Sequence, residues 1–399
     1  MKKSLIALAV LGVIADTAHA QSSVTLYGIL DVGLNYTSNA GGHRLYNTTS
    51  GVEQANRWGL RGTEDLGGGL SAIFVLENGF NLDTGALGQN NPGSSQGLDF
   101  GRQAYVGLSN AFGTVTVGRQ YDSVVDFVGP LGTGNQWLGN NAAHPGDLDN
   151  MSNLYRVNNA IKYASPNYGG LKFGGLYSVG GVAGDVTRNQ LFSFGASYNV
   201  GPVAIAAAYL NSRNPNIGFF GDNGASTAAT AASTFITSPV YSGYASAHTY
   251  QVIAAGGAYS IGAATIGATY SNTQFMSLGD TSSGPNPSGF QGKAILNNAE
   301  VSFKYQVTPS LVAGGSFDYT KGASVATTTG STGGAKYNQF AAGADYFLSK
   351  RTDVYIVGVF QKASGTDSRD LPAVAVINNV SASNSDAQAV VRIGMRHRF

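Results

Sequence analysis

The chain has 399 residues, a formal net charge of +1 and no cysteine. The near-balance of charge excludes a strongly basic nucleic-acid-binding protein, and the lack of cysteine excludes disulfides, thiolate metal sites and cysteine nucleophiles. Charged residues make up 11% of the chain, against about 25% in an average soluble domain. The 56 glycines, 21 tyrosines and 19 phenylalanines favour strands and turns over helices.

The first 20 residues have the pattern of a secretory signal peptide. Two lysines precede a short apolar run, and Ala18-His19-Ala20 forms a small-x-small cleavage site. The run is too short to cross a bilayer as a helix, which needs about 20 apolar residues. We therefore predict a signal peptide over residues 1–20 and a mature domain over 21–399, with a buried N-terminal helix as the alternative.

Apolar and polar residues alternate along the rest of the chain. In SVTLYGILDVGLNY the apolar side chains share one face, and Thr25, Asp31 and Asn35 share the other. The same period of two recurs at 298–307, 309–320, 338–348 and in the last segment, AVVRIGMRHRF, at 389–399. A period of two over ten residues or more predicts strands longer than the usual five or six residues.

Two kinds of connection separate the predicted strands. Seven short turns rich in Gly, Pro, Asn and Asp lie at 64–70, 109–114, 165–171, 198–203, 259–265, 307–311 and 348–352. Longer polar segments lie at 82–97, 122–154, 214–245, 276–292, 322–335 and 364–386. The turns join seven pairs of strands, and the first and last strands complete a total of 16, with both termini on the short-turn side.

This organisation predicts an all-β fold, a 16-stranded antiparallel transmembrane β-barrel. The bilayer core has no water to satisfy backbone polar groups, so strands can cross it only as a closed barrel. The last strand is therefore expected to pair with the first. A soluble, secreted all-β protein is the alternative, but it would favour shorter strands and loops of more even length.

One segment departs from the alternation. RTDVYIVGVFQ, at 351–361, carries apolar residues on both faces. A strand of this kind is expected where two barrels are in contact.

A 16-stranded barrel encloses an aqueous lumen, so charges on the inward face are candidates for selectivity. In NRWGLRGTEDLGG the outward Trp58 and Leu60 place Arg57 and Arg61 inside. In YRVNNAIKY the apolar side formed by Val157, Ile161 and Tyr163 places Arg156, Asn158 and Lys162 inside.

Further arginines lie on the last strand and near the third long segment. Parity places Arg392, Arg396 and Arg398 in the lumen, but it does not decide Arg102 or Arg119, which share parity with apolar neighbours. Inward arginines can simply be solvated side chains on a polar wall, with little energetic effect. Several of them around one narrow lumen would favour anions.

Several segments resemble the general diffusion porins of the Gram-negative outer membrane, in particular their β-proteobacterial branch. They are SSVTLYGILDVGL, NRWGLRGTEDLGGGLSAIFVLENGF, FGRQAYVGLSNAFGTVTVGRQYD, SPNYGGLKFGGLYS and the terminal Phe399. The resemblance implies a homotrimer of 16-stranded barrels, each with a third loop, residues 122–154, folded into the lumen as a constriction. It also implies that Arg57, Arg102 and Arg156 face acids on that loop, with Arg119 at its base.

The sequence departs from that pattern at the loop tip. Enterobacterial relatives carry Pro-Glu-Phe-Gly-Gly there, whereas this chain has no carboxylate between Phe127 and Pro145. In the first strand, Ile29 takes a place where those relatives can have lysine. The loop acids are Asp122, Asp126, Asp147 and Asp149. Fewer opposing acids predict an anion preference, and the residues assigned to the constriction are Arg57, Arg61, Arg102, Arg119, Arg156, Lys162, Asp122 and Asp126.

Two other functions are alternatives to a diffusion channel. An outer-membrane enzyme would need a nucleophile and base near its loops, but His43, His144, His248 and His397 lie in no motif and are interpreted as surface residues. A substrate-specific channel would carry an aromatic track or a dense ladder of binding residues along the lumen, which the sequence does not indicate.

The sequence therefore predicts a passive pore in the outer membrane for small hydrophilic solutes, with anions preferred. No cofactor, metal or nucleic acid is implied. The expected partners are two further copies of the chain, outer-membrane lipid and lipopolysaccharide, and the barrel-assembly machinery, which in the family recognises a terminal aromatic such as Phe399.

Overall fold

The computed structural model describes residues 22–88, 97–221 and 236–399. The predicted signal peptide lies outside the described residues. The strands, in chain order, are β1 Ser23–Ala40, β2 His43–Ser50, β3 Arg57–Gly67, β4 Leu70–Gly79, β5 Gln103–Asn110, β6 Gly113–Gln120, β7 Val157–Ala164, β8 Leu171–Ser178, β9 Leu191–Val200, β10 Val203–Arg213, β11 Thr249–Ile261, β12 Ala264–Leu278, β13 Phe290–Thr308, β14 Leu311–Gly322, β15 Val325–Thr327, β16 Gly330–Thr332, β17 Lys336–Phe347, β18 Thr352–Ser364 and β19 Ala387–Arg398. Short helical turns occupy Val124–Val128, Gly129–Leu131, Thr133–Asn135, Asn140–Ala142, Pro145–Asp147 and Ser242–Tyr244.

These strands make a wall of 16, as predicted. β2 and β3 are two halves of one wall strand, since both pair with β1: Val32 lies opposite Ser50, and Ile29 lies opposite Arg57. β15 and β16 form a small separate hairpin that meets the end of β13. Every wall pairing is antiparallel between neighbours, which gives the backbone polar groups partners within the wall.

The last strand closes the barrel on the first. β19 pairs with β1 in antiparallel register, with Asp31 opposite Arg396. Beyond β19, the Phe399 amide donates to the Gly28 carbonyl at 3.1 Å, and the Gly28 amide donates to the Phe399 carbonyl at 3.0 Å. Phe399 is thus part of the closure, which removes an edge that would otherwise leave backbone groups unpaired.

The connections also follow the prediction. The seven tight turns join β3–β4, β5–β6, β7–β8, β9–β10, β11–β12, β13–β14 and β17–β18. Gly67 and Gly262 in two of them have φ values of +83° and +57°, a conformation that costs glycine little and other residues more. The long connections lie at the opposite end of the barrel, together with one two-residue turn, Gly41–Gly42, between β1 and β2.

Alternation separates the two faces of the wall. Leu34 and Ile393 are 66% and 60% exposed on the outside, whereas Asp31 and Asn35 are buried on the inside. An apolar outer surface with a polar inner one is the arrangement of a barrel in a membrane. Among the described residues, no helix is both long enough and apolar enough to cross a membrane.

β18, which carries the doubly apolar segment, has its inner face covered by the third long loop. Tyr355, Val357 and Val359 are buried in one cluster with Trp137 and Leu138 of that loop. The loop therefore accounts for the apolar inner face, while a contact between barrels at the outer face of β18 stays a prediction. These side chains are apolar because a loop packs on them from within.

The start of β7 corrects a second detail. Gly118 of β6 lies opposite Ala160, but Gln120 lies opposite Val157, so β7 holds one extra residue at this point. Asn159, inside the bulge, has a φ of +52°. Because a bulge reverses parity along the strand, Val157 is buried in the interior and the prediction that it faces outward is wrong. Arg156 precedes the first residue of β7, so strand alternation does not fix its direction.

Candidate functional site

The third long loop leaves the wall after β6 and returns at β7. On the opposite wall, the Thr133 amide donates to Glu300 Oε1 of β13 at 3.0 Å. Gln339 Nε2 of β17 donates to the carbonyls of Ala142 and Ala143 at 3.2 and 3.0 Å. The loop therefore crosses the lumen and narrows the space left for permeation.

A buried histidine ties this loop to the wall. His144 is 3% exposed, and its Nδ1 lies 2.7 Å from Asp149 Oδ2, while its Nε2 lies 3.6 Å from Asp318 Oδ2 and 3.8 Å from Glu300 Oε2. Burial acts to lower the pKa of His144, but the surrounding carboxylates outweigh it and raise the pKa to about 10. His144 is thus an imidazolium at neutral pH, and the interpretation of it as a surface residue is wrong, because the loop folds inward and carries it to the wall.

Two of the loop acids shape the loop itself. Asp122 Oδ1 accepts a hydrogen bond from the Val124 amide at 2.7 Å, and Asp147 Oδ1 accepts one from the Ser152 amide at 2.8 Å. Burial raises the pKa of Asp122 to about 6 and that of Asp147 to about 7. The sequence predicts Asp122 in the constriction, but the structure buries it within the packing of the loop, away from the channel surface.

Asp126 is the loop acid that reaches the channel. It lines a cavity that remains between the third loop and the wall, and it forms an ion pair with Lys162 of β7, whose Nζ also donates to the Tyr121 carbonyl at 3.0 Å. Both side chains are partly exposed. The pair brings together two residues that were assigned to the constriction, and their charges cancel.

A second segment folds into the lumen, and the sequence pattern does not predict it. Residues 51–56 interrupt the wall strand between β2 and β3 and fold into the lumen. The Glu53 amide donates to Asp31 Oδ2 at 2.6 Å, and the Asn140 amide of the third loop donates to the Val52 carbonyl at 2.6 Å. The channel is therefore bounded by this segment as well as by the third loop.

Two inward arginines of the last strand are buried and paired. Arg392 is 1% exposed, with Nη2 3.5 Å from Asp31 Oδ1. Arg396 Nη2 lies 3.1 Å from carboxylate oxygens of both Asp345 and Asp353. Their predicted inward direction is correct, but they form ion pairs in the wall and offer no free charge to the channel.

A cavity of about 710 Å³ remains between the third loop, residues 51–56 and the wall. Arg57, Arg102 and Arg156 all line it, as does Tyr121. Arg102 is buried, and its Nε donates to Glu77 Oε1 at 2.8 Å. Within the described ranges, neither Arg57 nor Arg156 forms an ion pair with a carboxylate. The three arginines that the resemblance implied are thus brought together on one side of the cavity.

The remaining assigned residues lie elsewhere. Arg119 Nε donates to the Gly101 carbonyl at 2.8 Å, and its Nη1 donates to Asn158. Arg61 is exposed, with its guanidinium carbon 5.4 Å from the centroid of the Tyr27 ring. Neither arginine lines the main cavity, so the structure separates them from Arg57, Arg102 and Arg156.

A closed barrel with a loop across its lumen and a basic passage beside that loop belongs to the class of outer-membrane channels. The model of the Gram-negative porin family matches residues 7–366. The chain therefore belongs to the Gram-negative porin family, and it forms a passive diffusion channel in the outer membrane. Family and fold point to a channel rather than to an enzyme.

Proteins similar to this chain come from β-proteobacteria. The chain is 29% identical to an outer membrane porin protein of Bordetella pertussis, over 100% of both chains. It is 40% identical to outer membrane porin protein 32 of Delftia acidovorans over 190 residues, which cover 45% of this chain and 50% of that one. The solved structure of the anion-selective porin from Comamonas acidovorans matches 95% of this chain and 100% of its own, with a TM-score of 0.71 and 22% identity. The resemblance seen in the sequence motifs is confirmed.

Proposed function

We propose that this porin passes small hydrophilic solutes with a preference for anions. The observation that carries the proposal is the balance of charge around the cavity, whose lining holds three arginines and three acids: Arg57, Arg102, Arg156, Glu53, Asp83 and Asp126. Glu53 lies 3.6 Å from the guanidinium of Arg396, which leaves Asp83, a hydrogen-bond acceptor for Ser50, as the one cavity acid without a basic partner among the described residues. Arg57 and Arg156 lack a carboxylate partner among the described residues, whereas Asp126 is paired with Lys162. Uncompensated positive charge on the wall of a narrow lumen attracts anions and repels cations.

The similar porin from Comamonas acidovorans is anion-selective, which supports the same preference here. A matched set of variants tests it. Arg57→Gln and Arg156→Gln should each move the reversal potential in a salt gradient towards the cation side. Arg61→Gln is the control, since Arg61 is an inward arginine outside the cavity, and it should have little effect. An unchanged reversal potential in both cavity variants would contradict the proposal, as would an equal shift in all three.

General diffusion is tested separately by liposome swelling. Rates that fall smoothly with the size of uncharged sugars support a non-specific channel. A single solute that enters far faster than others of its size, and that saturates, would instead indicate a substrate-specific channel.

We infer that three copies assemble, as in the trimer form of OmpT from Vibrio cholerae, a structure with a TM-score of 0.62 to this chain. Light scattering in detergent would give the mass of three chains, and a monomer mass would contradict the inference.

We further propose that lipopolysaccharide surrounds the barrel and that the assembly machinery recognises Phe399. Phe399→Ala should lower the amount of folded barrel in the membrane more than Phe112→Ala, a change at an exposed aromatic of a tight turn.

A further inference from the structure

Tyr121 contacts two of the three cavity arginines at once. It follows the end of β6, where the wall becomes the third loop, and it lines the cavity. The guanidinium carbons of Arg102 and Arg156 lie 5.9 and 5.8 Å from the centroid of its ring. Cations within about 6 Å of an aromatic centroid can be attracted by the negative face of the ring.

The two arginines are held in different ways. Arg102 Nη2 donates to the Tyr121 hydroxyl at 2.8 Å, and that hydroxyl donates to Glu77 Oε1 at 3.0 Å. Arg102 also donates to Glu77 directly. Arg102 is therefore fixed by a carboxylate and a hydroxyl, and it would keep its carboxylate partner without the tyrosine.

Arg156 has fewer partners. Its Nη1 donates to the Leu154 carbonyl at 2.9 Å, while its buried Nε has no hydrogen-bond partner. The nearby Arg102 carries a like charge, and like charges that are removed from water repel one another strongly. The Tyr121 ring is a neutral, electron-rich surface that Arg156 contacts beside this neighbour.

We propose that Tyr121 is a positioning residue for ion selectivity, because its ring holds the Arg156 guanidinium at the cavity wall against the repulsion of Arg102. This inference rests on the proposed anion preference and adds an uncharged residue to the arginines that carry it. Without the ring, Arg156 turns away from the cavity, and the local positive potential there falls.

The contacts of Tyr121 allow its ring and its hydroxyl to be tested separately. Tyr121→Phe keeps the ring beside Arg156 and removes the bonds to Arg102 and Glu77. Tyr121→Leu removes both. The bond from Lys162 goes to the Tyr121 carbonyl and is kept in either variant, so the pair of Lys162 with Asp126 remains as a support of the loop base.

The measurement is the ratio of anion to cation permeability in planar bilayers. Tyr121→Leu should lower the ratio by roughly two- to fivefold, the lower end of the range for the loss of one cation–π contact, whereas Tyr121→Phe should stay close to the wild type. Tyr27→Leu is the matched control. Tyr27 also donates to Glu77, at 3.0 Å, but its ring faces Arg61. Heat-modifiable migration on gels confirms that each variant is folded.

A double variant separates this inference from the proposed function. If Tyr121 acts through Arg156, Tyr121→Leu should change nothing further in an Arg156→Gln background. Three results would each overturn the positioning role. They are additive effects in the double variant, a Tyr121→Phe channel as weak in selectivity as Tyr121→Leu, and a wild-type permeability ratio in Tyr121→Leu. An Arg156→Gln channel with wild-type selectivity would instead overturn the assignment of Arg156 to anion preference.

Discussion

The substitution His144→Ala tests whether a buried imidazolium holds the third loop across the lumen. It removes the cation that Asp149, Glu300 and Asp318 surround at 2.7, 3.8 and 3.6 Å. Three carboxylates would then face one another in the interior with no positive charge among them. Two other contacts are left in place: Thr133 of the loop still donates to Glu300 of the wall, and Gln339 of the wall still donates to a loop carbonyl.

Removal of one partner from a buried ion pair costs about 3–5 kcal/mol. Each 1.4 kcal/mol is about a factor of ten in an equilibrium, so the balance between the attached and the detached loop should shift by roughly two to four orders of magnitude. Because the other contacts remain, we expect a populated open state rather than complete release. Single channels of His144→Ala should show higher and noisier conductance at pH 7 than the wild type.

The pH dependence follows from the raised pKa of His144. Its contribution to the attached loop is fully present below the unfolded pKa of about 6.5 and is lost as the pH rises through about 10. Wild-type channels should therefore become noisier towards pH 10. In His144→Ala, acidification to about pH 5 should restore quieter channels, because added protons relieve the repulsion between carboxylates.

His248→Ala is the matched control. His248 also pairs with a carboxylate, Asp280 Oδ2, at 2.9 Å, but it is 38% exposed and lies in the outer loops. It should leave conductance unchanged. Folded His144→Ala barrels with wild-type conductance and noise at pH 7 would refute the anchoring role, as would an equal effect of the control.

Two further changes separate structural from selective residues. Arg396→Met leaves Asp345 and Asp353 without their shared partner and should destabilise the barrel by about 3–5 kcal/mol, with little change in selectivity. The loss of stability should lower the temperature at which the barrel changes its migration on gels. A large shift in reversal potential would contradict this prediction. Trp137→Ala should open a void of the kind that costs about 3–5 kcal/mol in a core, between the loop and Val357, and raise conductance noise; quiet, wild-type channels would show that this packing does not hold the loop.

Much of the wall was predictable because lipid and water impose a strict period of two. Leu34 and Ile393 face outward and Asp31 faces inward as alternation requires, and the glycine-rich turns mark where each pair of strands reverses. Closure by Phe399 on Gly28 follows from the same physics, since an open edge is costly in a bilayer.

The lumen was less predictable, because its contacts join residues far apart in the chain. Alternation of apolar and polar residues does not reveal a bulge, so it predicts the wrong face for Val157. Nor can it show that Arg396 is paired with Asp353. The apolar inner face of β18 correctly indicates burial, but Trp137, which packs on it, lies more than 200 residues away in the sequence. Arg57, Arg102 and Arg156 were grouped only through the resemblance to known porins.

The reversal potential of the wild-type channel in a potassium chloride gradient tests the proposed anion preference most directly. Uncompensated charge on Arg57 and Arg156 predicts a reversal potential displaced from zero towards the equilibrium potential of chloride. The potential should also grow at low salt, since screening of charges weakens as ionic strength falls. A potential on the potassium side at low salt, where the wall charges act most strongly, would contradict the assignment of anion preference to these arginines.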